Sequence, residues 1–319
     1  MTWLTWRQHR AQLVAAAGVL AVLGAFLLWT RHSLNTYQQS AGLPSCVASG
    51  GDCQAISAQI RSHFQRLFDY IGYLNFLPLI LGMFWGAPLV AREIEQGTHR
   101  LAWTQSVSRR RWLGVKLVAL LCATGAVSVA FAGLMTWWFK PVELMASGDG
   151  DAYSRINPNA YNFQGIVPIG YGVAALAIGV CSGVVLRRTL AAMAVTVAVW
   201  LPFRLWFESI RGDLLAPLSV SYPAFGTSPR ANTGDWVMHS NLVDGVGHIV
   251  RDPFTLCPQK SRGPFDHCAA VHGLQSVDLY HPASQFWALQ GIEFGVYAAV
   301  SGLLLGFAYY WLTRRRALI

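Results

Sequence analysis

The chain has 319 residues, 54% hydrophobic and 12% charged, with a formal net charge of +9 and a mean hydropathy of +0.37. Soluble domains carry about 25% charged residues, so this balance excludes an ordinary water-soluble enzyme. Of the 24 basic residues only Lys116, Lys140 and Lys260 are lysine. Nucleic-acid binders spread Lys and Arg over a hydrophilic face, which a chain this apolar does not offer, so no nucleic-acid partner is expected. Thirteen tryptophans and 30 glycines suit lipid, where Trp anchors at the interface and Gly permits close helix packing.

A bilayer core of about 30 Å needs about 20 apolar residues in helix. Runs at 11–29, 70–91, 113–139, 166–186, 189–207 and 286–312 meet that need. Residues 1–10 place Trp3, Leu4 and Trp6 ahead of Arg7 and Arg10 and read as an interfacial anchor. The first run ends in Leu28, Trp29, Thr30 and Arg31 without a small-residue cleavage site, so it reads as a retained helix, not a signal peptide. Pro78 and Pro88 should bend the second run, and the third and sixth are long enough to tilt or break.

With the N-terminus inside, the short inner segments hold 13 of the 24 basic residues but only Glu93 and Glu95 among the acids, as the positive-inside tendency requires. Resolved by side, the +9 becomes an orientation signal. Cys46 and Cys53 then fall in the first outer loop, Cys257 and Cys268 in the last, and none inside. Two local disulfides are expected on the oxidising side. Residues 30–69 and 140–165 are moderate outer loops, whereas 208–285 is long enough to predict a folded extracellular cap stapled by Cys257 and Cys268. His239, His248, His267, His272 and His281 lie in it without a zinc-like spacing, so no metal is expected.

The most patterned inner segment runs from Ala91 to Lys116. Glu93, Gly97 and Arg100 share a helical face; Gly97-Thr98 offers a break. Leu101, Trp103 and Val107 are apolar residues available for docking, and Ser108 can cap the following helix. Six spans with both termini inside, followed through Glu93, Glu95, Gly97, Thr98, Ser108, Arg109 and Lys116, resemble the membrane subunits of ABC-2 type exporters. The resemblance covers roughly 1–207 and 286–319. It implies that 92–112 forms a coupling helix seated in a cleft of an ATPase subunit, with Arg92, Glu93, Glu95, Gly97, Thr98, Arg100, Leu101 and Trp103 as the coupling residues. It also implies a permease working as a homodimer or heterodimer in the plasma membrane. Family members often have short helices that dip back before the sixth span, which 208–220 or 282–290 would supply here. The chain has no G-x-x-x-x-G-K-[ST], so ATP and Mg are expected on a separate subunit, and no cofactor is expected in this chain.

Ionisable groups in lipid need partners, and Arg204 with Glu293 are the expected interhelical ion pair in the outer half of the bundle. The small residues of the fourth span, including Gly170, Gly172, Gly179, Cys181, Ser182 and Gly183, favour close helix contact within a subunit or across a dimer seam. The fold expected is an all-α polytopic membrane protein with six spans. Residues 1–207 hold five helices, 208–285 the extracellular cap, and 286–319 the sixth helix and cytoplasmic tail. The function expected is that of a non-catalytic permease moving an apolar or amphipathic substrate outward. The alternative is a membrane enzyme or sensor using the outer loop, where Asp235, His239, Asp244 and His248 are suggestively spaced.

Overall fold

The computed structural model describes residues 2–51, 53–97, 108–146, 154–224, 228–229, 234–251, 257 and 265–314. Among the described residues six helical segments are long and apolar enough to cross a membrane: Arg10–Ser40, Gln54–Glu95, Arg110–Met145, Val167–Leu186, Thr189–Asp213 and Ala283–Thr313. Each contains one of the runs read from the sequence, or nearly all of it. The first is α1 (Thr2–Ser40), which continues without a break from the N-terminal anchor. The second is composite: α3 (Gln54–Tyr73) follows the short α2 (Leu43–Ala48), and a 3-10 turn leads into α4 (Leu77–Leu81). A π-helical turn over Gly82–Gly86 and then α5 (Pro88–Glu95) complete it. The third, α6 (Arg109–Ala146), is a single helix despite its length and its internal Pro141. After the four-residue α7 (Pro158–Tyr161) come α8 (Val167–Leu186) and α9 (Thr189–Ile210). A cap follows, and the last span, α11 (Phe286–Arg314), is also unbroken.

The centre of the bundle is α8. Its most hydrophobic stretch is 72% buried, against 17% for α1 at the periphery. Two Gly-x-x-x-Gly pairs meet there, Gly82 and Gly86 on the π turn and Gly179 and Gly183 on α8. A Cβ on Gly82 would stand 2.3 Å from the Ala175 carbonyl oxygen, and one on Gly179 would stand 2.4 Å from the Gly82 carbonyl oxygen. On Gly86 and Gly183 the corresponding gaps to the Leu176 and Ala87 carbonyls are 2.6 and 2.5 Å. Backbone therefore packs on backbone, the arrangement that small residues permit in a bilayer. The small-residue face of the fourth span is thus used within the subunit.

Proline shapes how α1 is held. In an α-helix the Phe84 carbonyl would meet the N–H of position 88, and the Trp137 carbonyl that of position 141. Both positions are proline, which has no N–H. Gln12 of α1 donates its side-chain amide to the Phe84 carbonyl at 3.2 Å, and Arg31 of α1 donates to the Trp137 carbonyl. Neighbouring helices commonly satisfy carbonyls freed in this way. Thr30 adds a buried contact, accepting from the Trp138 indole at 3.0 Å.

The first outer loop of the sequence reading is largely helix. Both α1 and α3 run past the apolar stretches, and α2 with the Cys46–Cys53 disulfide joins them. The amphipathic face of α3 buries Ile60 and Ile71 in a cluster with Leu34, Leu43, Trp138, Val142 and Met145. A second disulfide, Cys257–Cys268, lies in the cap. The cap adds an antiparallel sheet, with β1 (Leu218–Pro223) and β2 (Trp236–Val243) flanking β3 (Gln275–His281), and a helix, α10 (Phe265–Val271). Leu218 pairs with Tyr280 across one ladder and Trp236 with His281 across the other. Neither 208–220 nor 282–290 dips back as a separate helix: the first passes from α9 through a 3-10 turn to β1, the second from β3 into α11.

The glycine seam makes a sign-reversing pair of substitutions available. Gly179→Ala should lower stability by about 1–3 kcal/mol, since its methyl meets fixed backbone. Gly125→Ala on α6, where nothing lies within 4 Å, should raise it by about 0.5–1 kcal/mol through helix propensity. Thermal unfolding in lipid nanodiscs reads both; equal effects would contradict the seam.

Candidate functional site

Residues with functional chemistry gather at two ends of the bundle. At the first, α5 carries the start of the patterned segment. Arg92 is exposed, while Glu93 turns inward to pair with Lys116 of α6. The Lys116 ammonium also lies 4.6 Å from the centre of the Trp112 ring, a cation–π contact that a partly dry site strengthens. Glu95 reaches α9: its carboxylate accepts from the Thr189 backbone N–H at 3.1 Å and from the Thr189 hydroxyl at 2.5 Å. Arg188, the N-cap residue of α9, offers no side-chain cap, so a carboxylate from another helix satisfies that helix start. Only Arg187 and Arg188 separate α8 from α9, and Arg187 takes the left-handed conformation at φ 57°.

Gly97 closes α5 with φ +68°, its N–H bonded to the Ile94 carbonyl at 3.2 Å. A left-handed glycine ends a helix in this way, so Gly97 does not extend the face of Glu93. Ser108 caps α6 as expected from sequence, its hydroxyl accepting from the Arg111 N–H at 3.3 Å. Thr98, Arg100, Leu101, Trp103 and Val107 lie outside the described residues. Of the expected coupling set, Glu93 and Glu95 therefore serve as tethers that fasten the root of the segment to α6 and α9.

At the opposite end a buried polar cluster joins α8, α9 and α11. Its centre is Glu293, fully buried and paired with Arg211, which is also fully buried. Arg211 Nε lies 2.9 Å from one carboxylate oxygen and Nη2 lies 3.1 Å from the other, a two-pronged contact. Tyr171 donates its hydroxyl to Glu293 at 2.5 Å, and Asn162 accepts from Arg211 Nη2 at 2.8 Å. The Arg211 guanidinium stands 4.4 Å from the Tyr161 ring centre. Burial holds the Tyr161 phenol above its ordinary pKa, with the Glu293 charge acting in the same sense, so it stays neutral.

The expected Arg204–Glu293 pair is corrected here. Arg204 points along its own helix to Glu208, at 3.5 Å, and lies over the Tyr171 ring at 4.1 Å. Asn162 Nδ2 donates to Glu208 at 2.9 Å and so links the two charge pairs. Positions 204 and 211 are seven apart, about two helical turns, and face the same way. Only Arg204 lies inside the apolar run 189–207, whereas the helix continues to Ile210 and a 3-10 turn follows, in which Arg211 meets Glu293.

One turn before Glu293, Gln290 ties α11 to the start of α8. Gln290 Oε1 accepts from the Ile166 and Val167 N–H groups, each at 2.9 Å, and closes the start of α8. Gly165, at φ +70°, passes so near that a Cβ would stand 2.6 Å from that oxygen. Beyond the cluster, His281 is buried with its ring nitrogens 2.7 Å from Gln285 Oε1 and 2.9 Å from the Gly212 carbonyl. It seats the sheet on the ends of α9 and α11.

Of the other suggestive outer residues, Asp244 and His248 come together, Oδ2 to Nδ1 at 3.5 Å, but the four do not converge on one site. Asp235 is buried and accepts from the Ala283 N–H at 2.9 Å. Asp244 accepts from the His248 and Val246 N–H groups in a tight turn. The His248 N–H first, and then Val246, hold its carboxyl below the ordinary value. Between the two acids runs β2, about 3.3 Å per residue over eight residues. His239 is exposed along that strand. They form strand ends and a turn.

Removing one partner of the buried pair leaves an uncompensated charge. Arg211→Met or Glu293→Leu alone should each cost about 3–5 kcal/mol, and the double substitution should recover much of that loss. A double-mutant cycle on thermal unfolding should give a larger coupling for Arg211 with Glu293 than for Arg204 with Glu293; the reverse order would restore the sequence-based pairing.

No curated protein and no solved structure matches the chain. The sequence model of one family, described as ABC-2 membrane transporter related, matches residues 17–211, which is more than half of the chain and covers the second to fourth spans whole and most of the first and fifth. Its extent ends on Arg211 itself and includes the whole tethered segment. The chain is a multi-pass membrane protein and belongs to the ABC-2 membrane transporter related family.

Proposed function

We propose that this chain is the permease subunit of an ATP-driven exporter, which moves an apolar or amphipathic substrate outward when a separate ABC ATPase subunit engages the segment 92–112. The observation that carries this reading is the double tether of that segment's root, Glu93 to Lys116 and Glu95 to Thr189. A force applied to a loosely held loop would dissipate in side-chain motion. Applied to α5, it reaches α6 and α9 directly. Membership of the family supports an ABC ATPase as the partner.

The N- and C-termini and the tethered segment then face the cytoplasm, and the cap faces outside. The arginine bias supports this orientation, and so does the placing of both disulfides at the end away from the tethers. Two copies, or one copy with a related permease, would enclose the path. At the outer end the Glu293–Arg211 cluster would hold α8, α9 and α11 together in the closed state. Substrate would pass when the helices separate and the charges exchange partners.

Orientation is tested on intact cells with a membrane-impermeant reductant followed by an impermeant maleimide. Cys257 and Cys268 should label only after reduction. Labelling that requires broken cells would invert the topology. Coupling is tested in vesicles holding the chain with its ATPase partner. Glu93→Ala and Glu95→Ala should lower transport per ATP hydrolysed, and the two together should lower it further. Unchanged transport and unchanged ATP turnover in both variants would refute this role of the tethers.

A further inference from the structure

A cavity of about 330 Å³ lies between α1, the α4–π segment and α6. Its α1 wall runs from Gln12 to Leu20, its opposite wall from Leu77 to Trp85, and Val127 of α6 contributes from behind. The volume falls within the range of sites that hold small organic molecules. All the lining residues are apolar except Gln12, whose amide is bonded to the Phe84 carbonyl. Water in a cavity needs two to four polar partners, and this wall does not provide them.

The cavity opens sideways. Val19 and Ile80 at its rim are 53% and 45% exposed, in helical segments apolar enough to cross a membrane. Its length matches a lipid chain: Gln12 to Leu20 spans about 12 Å of helix, close to half of the roughly 30 Å hydrocarbon core. That stretch begins at the polar end of the first apolar run, where the chain of a lipid in the adjoining leaflet also begins. An unfilled gap would forfeit dispersion contacts along both walls.

We propose that this cavity is an acyl-chain site, occupied by one hydrocarbon chain of a membrane phospholipid from the leaflet on the Gln12 side. The chain lies along α1 and packs against Phe84 and Trp85 of the π turn. It fills the space that the Gln12–Phe84 bond spans at one end, and so it fixes the spacing of α1 from the tethered second span. The site requires only that the chain crosses a bilayer; it does not depend on ATP coupling or on the direction of transport.

Native mass spectrometry of the full chain, purified in mild detergent, tests it. With increasing collisional activation the unmodified protein should keep one phospholipid after the others are lost. Ala16→Phe, which fills the cavity, should lose that last lipid. Leu303→Phe, on the exposed surface of α11, should keep it. Loss of every lipid from the unmodified protein, or retention by Ala16→Phe equal to that of Leu303→Phe, would overturn the assignment. A photoreactive side chain at position 19 provides a second reading should Ala16→Phe fail to fold. Irradiation in native membranes should attach lipid, whereas joining of two chains would assign the cavity to a second copy instead.

Discussion

Backbone contact between the second and fourth spans sets the position of almost everything else. Lipid offers no hydrophobic drive for two apolar helices to associate, so they meet through close packing or polar bonds. Gly82, Gly86, Gly179 and Gly183 remove the side chains that would hold the helices apart. The π turn places both of its glycines toward α8 while Pro88 starts α5 just beyond it. Because α5 is the direct continuation of that turn, the seam also fixes where Glu93 and Glu95 stand. Leu89 and Val90 then pack with Leu113, Leu117 and Val184 in one apolar cluster, directly above the tethers. Placement of the polar contacts thus follows from the glycines, because a tether can form only when its helix is already close.

The buried cluster at the other end obeys a different constraint. Two arginines and two glutamates balance in charge, and each guanidinium also faces a tyrosine ring. Desolvating such groups costs several kcal/mol per ion, so a well-packed apolar replacement would serve stability as well or better. What the cluster adds is specificity of arrangement. Arg211 comes from the end of α9, Tyr171 from α8 and Glu293 from α11, and the two-pronged contact accepts only one relative placement. Gln290 adds a fixed register between α11 and the start of α8.

Hydropathy made the spans legible because burial in lipid acts on every residue of a run. The helical pillars of 30–73 were less plain, although Ile56, Ile60, Phe64, Leu67 and Ile71 follow a helical spacing on α3. The sheet left little trace. In β3 the buried positions include Asp278, Tyr280 and His281, so the strand does not read as apolar alternation. Asp278 is satisfied by the Tyr222 and Ser228 hydroxyls, partners that only the folded cap brings near. The polar cluster was half legible. Glu293 stands out as a charge inside an apolar run, but its partner Arg211 lies beyond the apolar run that ends at 207, so the sequence points to Arg204 instead.

The two ends are joined by α9. It is one helix of 22 residues, about 33 Å long, with Thr189 at one end and Arg204 and Glu208 near the other. Glu95 grips its first residue, and Arg211 follows its last. Pro202 inside it removes one backbone bond close to Arg204, which is where the helix is easiest to bend. Under the proposed coupling, a push on α5 would arrive at the base of a helix whose far end leads to Arg211 and the Glu293 carboxylate. Small movements at Thr189 need not be transmitted undiminished. In that proposal they would need only to shift the guanidinium enough to degrade a two-pronged contact whose geometry tolerates little misalignment, a loss that low-dielectric surroundings make expensive.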